Sequence, residues 1–461
     1  MSWADEELGA ADFGDERLNR RSRKVLERLA EQPLFSIPSA CNGWAETQAA
    51  YRFFDNEKVS ADKVLSAHEG ATIERLREQS LVLCIQDTSE LDYTRHAQTN
   101  GLGPLTYHER RGLFLHPTLA VTPERLCLGV IHHHMWTRDD ATHGKKTRTC
   151  LRSKAIEDKE SQRWVDGYRA MCKVAEKIPT TKLMSVADRE ADFYEMFYEA
   201  AEANNAVELL IRSRCDRVLE DGGKLRERVA TAEVLGTMEF DLPPADNRIG
   251  RHVIQELRTV RCTLKAPYRP KSQKLLPDLA ITAVLASEKT PPPHGEPLQW
   301  LLLTTREVTT FEQAATVVDL YLCRWQIEVY FRILKSGCTI EQLQLEDVKR
   351  LKPALAVYMI IAWRVLFVTM VGRKYPNLPC DVVFATQEWQ AVYVVTKRQP
   401  APTTPPALSE MVAMIAEWGG FTNRAADGPP GPKTIWIGLQ RAKDFARGIE
   451  AQKHVDARRC V

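Results

Sequence analysis

Four residues in one stretch have types and spacing suited to phosphoryl chemistry. The stretch is Tyr321-Leu-Cys-Arg-Trp-Gln-Ile-Glu-Val-Tyr-Phe-Arg-Ile-Leu-Lys335. On a helix at about 100° per residue, Tyr321, Arg324, Glu328 and Lys335 fall at roughly 0°, −60°, −20° and −40°. Leu322, Cys323, Ile327, Val329, Tyr330, Ile333 and Leu334 fall on the other side. The apolar stripe is therefore expected to dock on a core, leaving one carboxylate, two cations and a phenol in an outward row. That row would be about 21 Å long, the reach of several nucleotides. A carboxylate holds divalent cations, and cations beside it hold phosphates. A solvated helix face with an Arg/Glu i,i+4 pair makes the same pattern.

Two further acids join Glu328. Leu81-Val-Leu-Cys-Ile-Gln-Asp87 and Lys182-Leu-Met-Ser-Val-Ala-Asp188 read as short buried strands, each ending in an aspartate. In an open α/β sheet, sites form at the carboxyl ends of strands. Asp87, Asp188 and Glu328 together suit two Mg²⁺ ions about 4 Å apart, which activate the attacking oxygen and stabilise the leaving one. An aspartate in such a place also serves as a turn or helix cap. No soft-ligand cluster competes for a metal. His132-His-His134 lies on a strand, where consecutive side chains point to opposite faces. The 11 cysteines are odd in number, form no C-x-x-C pair, and include Cys84 and Cys323 inside apolar runs. Reduced thiols in a cytosol are expected.

The elements that must position these residues span several domains, since 461 residues exceed one core. Net charge is only +2, so a nucleic-acid surface has to be a local patch. The acidic N-terminus lacks an apolar h-region, and no secretion signal is expected. Ala354–Val371 is apolar but carries Arg364 midway, which favours a buried core helix over a membrane span. Residues 1 to about 70 read as helical. Arg17, Arg20, Arg21, Arg23, Lys24 and Arg28 face Leu18, Val25, Leu26 and Leu29 across one helix, either DNA-facing or solvated. Gly43 marks a turn into a second helix. Thr88–Tyr93 continues the first strand, Thr118–Val121 and Leu126–Trp136 form two more, and Ile156–Trp164 opens a long helix. From 207 to about 303 the texture is β, with Lys265, Arg269, Lys271 and Lys274 clustered inside it and Trp300–Thr304 as a return strand. Arg398–Pro406 is a Pro-rich linker.

The quartet Tyr-(2)-Arg-(3)-Glu-(6)-Lys closely resembles the mark of the bacterial insertion-sequence-four group of DDE transposases, and Tyr321, Arg324, Glu328 and Lys335 match it at every position. Phe13–Arg17, Ala50–Phe53, Ile85–Thr88, Glu157–Ser161, Ala187–Asp192, Trp300–Thr304 and Gly419–Gly438 also resemble family segments. The resemblance implies an α/β, ribonuclease-H-like mixed-sheet catalytic core over residues 71–375, with a β-rich insertion at about 207–303. A helical DNA-binding domain (1–70) would precede it, and a linker with a helical dimerisation domain (376–461) would follow. It implies cut-and-paste transposition through a DNA hairpin. Asp87, Asp188 and Glu328 would ligate two Mg²⁺, with Mn²⁺ able to substitute. Tyr321, Arg324 and Lys335 would hold phosphates, and Arg189 and Arg212 would be further residues positioning the DNA strand. Trp300 would stack a flipped base; a core strand residue is its alternative. Arg20, Arg21 and Arg52 would contact DNA. The partners implied are the transposon-end inverted repeats, target DNA and a second copy of the chain, in a bacterial cytoplasm with no membrane.

Two other functions fit parts of the pattern. A catalytically silent DNA-binding regulator derived from a transposase would show a truncated N-terminus or a lost acid. A general nuclease with the same core would need neither the quartet nor a pairing region.

Overall fold

The computed structural model describes residues 2–96, 98–141, 156–242, 250–268, 276–292, 297–424 and 428–459. Arg269, Lys271 and Lys274 of the basic loop lie outside the described residues.

Helices α1 (Trp3–Leu8), α2 (Glu16–Glu31), α3 (Ile37–Ala40), α4 (Trp44–Phe54) and α5 (Ala61–Arg77) open the chain. Asp15 caps α2 by accepting from the Arg17 amide at 2.8 Å. Val25, Leu26 and Leu29 are buried as the period requires. Part of the basic face is consumed internally: Lys24 pairs with Glu46 at 2.5 Å and Arg28 with the same carboxylate at 3.1 Å. Arg17, Arg20 and Arg52 remain exposed. Gly43, at φ +91°, supplies the sharp entry into α4. Helix α5 runs unbroken through residue 70. Its buried His68 ties α1 to the sheet: the imidazole Nε2 accepts from the Val130 amide at 3.0 Å. The proton therefore sits on Nδ1, which donates to Glu7 at 2.5 Å. Arg75 donates to the other oxygen of Glu7 at 2.7 Å and lies 4.5 Å over the Trp363 ring.

The next elements are β1 (Leu81–Gln86), β2 (Ser89–Asp92), β3 (Gly103–Pro104), β4 (Arg111–Val121), β5 (Cys127–Trp136), α6 (Gln162–Lys177), β6 (Lys182–Ala187), α7 (Tyr194–Glu202), β7 (Val207–Arg212), α8 (Leu225–Ala230), β8 (Val234–Leu242), β9 (Arg251–Leu264), β10 (Leu279–Glu288) and β11 (Gln299–Thr304). All the strands join one mixed sheet, ordered β2–β4–β1–β6–β7–β11–β10–β9–β8, with β3 and β5 also on β4. β1, β6 and β7 are mutually parallel; the rest pair antiparallel. The β-textured stretch is thus not a separate sheet. Its first strand, β7, completes the parallel set, and β11, β10, β9 and β8 extend it outward. β1 and β2 keep a single register against β4, Gln86↔Thr118 and Ser89↔Leu115. The ladder lapses only at Asp87 and Thr88, opposite Pro117 and His116, where proline offers no amide hydrogen.

Helices α9 (Phe311–Leu322), α10 (Trp325–Arg332), α11 (Val348–Lys374), α12 (Thr386–Lys397), α13 (Leu408–Trp418) and α14 (Pro432–Arg459) complete the fold. The single helix expected over Tyr321–Lys335 is broken twice. Between α9 and α10 the amides of Arg324 and Ile327 bond three residues back, at 3.0 and 3.1 Å. After α10, Ile333–Gly337 widens into a π turn. No Gly or Pro marks the first break. Cys323 Sγ lies there 3.3 Å from the Pro123 carbonyl and 3.5 Å from the Asp319 carbonyl. Helix α11 is the apolar stretch; 83% of its most apolar window is buried within the protein. Arg364 in its middle donates to the Val383 carbonyl, and its guanidinium lies 5.5 Å from the Trp3 ring. Trp436 of α14 packs on Gly337, where a Cβ would come within 2.9 Å of its ring. Nine cysteines are free among the described residues.

Candidate active site

Strand register assembles the first part of the site. Ile85 of β1 is level with Val186 of β6, so Asp87 and Asp188 emerge level from adjacent parallel strands, about 4.8 Å apart across the sheet. Ala187 is level with Ile211 of β7, which sets Arg212 beside Asp188. Level residues in a sheet share a face, so Asp87, Asp188 and Arg212 form one transverse row. Arg212 in turn pairs with Leu302 of β11; Trp300, two residues along, lies on the same face.

The tight turn before α10 delivers the rest. Arg324 Nη1 donates to Asp87 Oδ2 at 3.0 Å, and Nη2 donates to Glu328 Oε1. One guanidinium thus links the β1 acid to the helix acid. Asp87 and Asp188 also play the capping role open to them. Asp87 accepts from the Thr88 amide at 2.7 Å and Asp188 from the Glu190 amide at 2.8 Å. Burial, and then the charge of Asp188, push the Asp87 carboxyl up to about 7, although Arg324 pulls the other way.

That repulsion bears on whether these residues suit a metal. Three carboxylates are the oxygen donors that Mg²⁺ and Mn²⁺ prefer, and a cation between Asp87 and Asp188 would relieve the strain on Asp87. With the side chains as placed, no group of three acid, His or Cys side chains among the described residues is close enough to hold an ion. The Arg324 guanidinium occupies the position between Asp87 and Glu328. The donor set fits; its closing requires Arg324 to let go of at least one carboxylate.

The outward row is not realised. Tyr321 is only 5% exposed and sits among Arg324, Arg212 and Asp188. Its hydroxyl is held above its ordinary pKa by burial, against the pull of the two cations. Burial likewise lowers Arg212, which neighbours Tyr321 and Arg189. Arg189 is exposed. Lys335, on the π turn, is turned toward Glu341 at 3.6 Å. Trp300 stands apart from the acids, its ring 6.4 Å from that of Phe240.

A second layer escaped the sequence reading. Arg163 of α6 donates to Thr88 Oγ1 at 2.9 Å and to Glu190 at 2.6 Å. Thr88 bonds His116 Nδ1 at 2.9 Å, His116 Nε2 meets Gln86 Oε1 at 3.2 Å, and Gln86 donates to Ser185 at 3.2 Å. Burial, with Arg163 nearby, keeps His116 neutral. The chain of donors runs one way, from Arg163 to Ser185, and clamps β1 to β4 and β6 just behind Asp87. Its one visible signal was Thr88, directly after the strand-end acid. Trp325, 61% exposed beside Arg324, is a further aromatic at the site's rim.

Comparison with known proteins bears on both ends of the chain. Residues 1–59 match the transposase DNA-binding family, and residues 360–456 match the transposase Tn5 dimerisation domain. Both ends of the chain are thus similar to parts of transposases. The first match covers α1–α4, including the exposed Arg17, Arg20 and Arg52; the second begins inside α11 and takes in α12–α14. The two matches liken the ends of the chain to a DNA-binding segment and a dimerisation segment of transposases. Among solved structures, the cryo-EM structure of a piggyBac transposase synaptic complex with hairpin DNA is similar over 68% of this chain, at 8% identity and a TM-score of 0.33. The chain spans about half of that one, 52% of its length. A likeness so slight carries no weight for the fold.

Proposed function

We propose that the chain is an active DDE transposase of the cut-and-paste type, working on transposon ends as a homodimer in the bacterial cytoplasm. The observation that carries this reading is the level pair Asp87 and Asp188, joined through Arg324 to Glu328. The strand order β5–β4–β1–β6–β7, antiparallel and then parallel, supports a ribonuclease-H-like core. The β8–β11 strands would be its insertion, between the second acid and the glutamate. The core would span about 71–375, between a DNA-binding domain (1–70) and a dimerisation domain (376–461).

Asp87, Asp188 and Glu328 would hold two Mg²⁺, or Mn²⁺, which supply Lewis-acid activation of water or a 3′-OH and charge stabilisation of the leaving oxygen. The chain's other groups position the strand. A phosphate arriving at the site gives Arg324 an anionic partner in exchange for its carboxylates, which frees Asp87 and Glu328 together. Arg212 and Arg189 extend the cationic edge. Tyr321 orients Arg212 and Arg324 from beneath, and Lys335 reaches a phosphate on leaving Glu341. In this reading water first cuts one strand. The freed 3′-OH attacks the opposite strand to close a hairpin, water reopens it, and the 3′-OH then displaces a target phosphodiester. Each step exchanges one P–O bond for another.

The Arg324 bridge favours one second reading, a silent DNA-binding regulator, because it keeps the acids apart from a metal. End cleavage separates the two: Glu328→Ala should abolish nicking of an inverted-repeat duplex. Cleavage that survives this change sinks the proposed mechanism.

A further inference from the structure

We propose that Arg163 is a positioning residue that aims both aspartates of the site, Asp87 through Thr88 and Asp188 through Glu190. The inference rests on the reading of these acids as metal ligands and adds the residue that orients them. One oxygen of each aspartate is held by a backbone amide that follows it closely in the chain. Asp87 Oδ1 accepts from the Thr88 amide at 2.7 Å, and Asp188 Oδ1 from the Glu190 amide at 2.8 Å. The side chains of those same two residues meet on one guanidinium. Arg163 Nε donates to Thr88 Oγ1 at 2.9 Å, and Nη2 donates to Glu190 Oε2 at 2.6 Å. Nη1 donates to the Glu160 carbonyl at 2.7 Å, which ties the fork to the start of α6. A single planar group from one helix therefore reaches the turns after both β1 and β6.

Three features separate this role from DNA contact and from ordinary packing. First, the Arg163 side chain is only 10% exposed, all three of its nitrogens have partners, and it lies 5.3 Å from the Trp136 ring. A phosphate would have to displace a bond already made. Second, the backbone ladder lapses at Asp87 and Thr88, so β4 does not fix these two residues. The Thr88 side chain takes over that task. Its hydroxyl accepts from Arg163, so its one hydrogen goes to His116 Nδ1 at 2.9 Å. The His116 proton is then on Nε2 and is donated to Gln86 Oε1 at 3.2 Å. Third, Arg324 holds the other oxygen of Asp87, Oδ2, at 3.0 Å. When Arg324 lets go, it frees that oxygen on a carboxylate whose Oδ1 stays fixed from behind. Hydrogen bonds of this kind orient a carboxylate for its metal.

The test uses full-length protein and a readout that needs no catalysis. Mn²⁺ is titrated into the complex with a pre-cut inverted-repeat duplex, and free ion is followed by electron paramagnetic resonance. Thr88→Val keeps the shape and loses the hydroxyl; Mn²⁺ binding should weaken about tenfold, with duplex affinity in EDTA unchanged. Thr88→Ser should restore binding. Glu190 is 55% exposed, so its replacement spares the fold even if Thr88→Val does not. Glu190→Gln keeps an acceptor for Arg163 and should bind Mn²⁺ more tightly than Glu190→Ala. The Mg²⁺ concentration for half-maximal nicking of an uncut duplex should rise in the same order. Wild-type Mn²⁺ binding by Thr88→Val, or equal binding by Glu190→Gln and Glu190→Ala, would overturn the positioning role and leave the acid triad standing. Arg163→Lys that loses duplex affinity but keeps Mn²⁺ affinity would make Arg163 a DNA contact, and also overturns the proposal. Wild type that neither binds Mn²⁺ nor nicks would overturn the reading of the acids itself.

Discussion

Replacing Asp87 by asparagine should stabilise the metal-free protein, and increasingly so as pH rises. Burial and the neighbouring charge of Asp188 move this carboxyl from 3.8 to about 7. The folded protein therefore holds a proton on Asp87 that the unfolded chain has already released between about pH 4 and pH 7. In that window unfolding releases a proton, so the stability contributed by this group falls as pH rises and levels off above about pH 7. A shift of about three units at 1.36 kcal/mol each amounts to about 4 kcal/mol at pH 8, against about 1.5 kcal/mol at pH 5. The side chain is 19% exposed, so solvent screening trims these figures without cancelling them. Asparagine keeps an oxygen for Arg324 and removes the titration. Urea unfolding of wild type and variant in EDTA at pH 5, 6.5 and 8 reads the difference directly. Saturating Mg²⁺ at pH 8 should favour wild type, because only the carboxylate gains a cation. A gap that stays constant with pH, or one that narrows toward pH 8, would refute the electrostatic reasoning.

Other expectations follow from the same geometry. Trp300→Ala should let nicked product accumulate while hairpin product falls; equal loss of both would remove its base-stacking role. Lys335→Ala should make DNA binding less salt-dependent, lowering the log–log slope by about one. An unchanged slope would mean that Lys335 stays with Glu341. Gly337→Ala would force its new methyl against the Trp436 ring, 2.9 Å away, and should cost about 1–3 kcal/mol in thermal unfolding. A neutral result would show that the α14 contact yields without strain.

Local patterns made the strands legible. Leu81–Gln86 and Lys182–Ala187 are apolar runs closed by an acid, and such runs become buried strands whatever their partners. Their mutual register was not legible, because it depends on chain segments about 100 residues apart, and register is what levels Asp87 with Asp188. The apolar side of the Tyr321–Lys335 stretch was readable, since Cys323, Ile327, Tyr330, Ile333 and Leu334 are all buried. Its polar side was misread. A uniform 100° wheel cannot show the tight turn at Arg324, where amides bond three residues back, and that turn aims Arg324 at Asp87. Thr88, His116 and Arg163 come from three separate elements, and no spacing rule joins them.

The most direct measurement incubates the protein with the inverted-repeat duplex that flanks its gene, with and without Mg²⁺, and resolves the products on a denaturing gel. Nicked and hairpin DNA that require the metal, and that vanish with Asp188→Ala, are the result expected of a DDE transposase. A bound but uncut duplex, in Mg²⁺ and Mn²⁺ alike, would contradict that account and leave a DNA-binding regulator whose acids stay tied to Arg324.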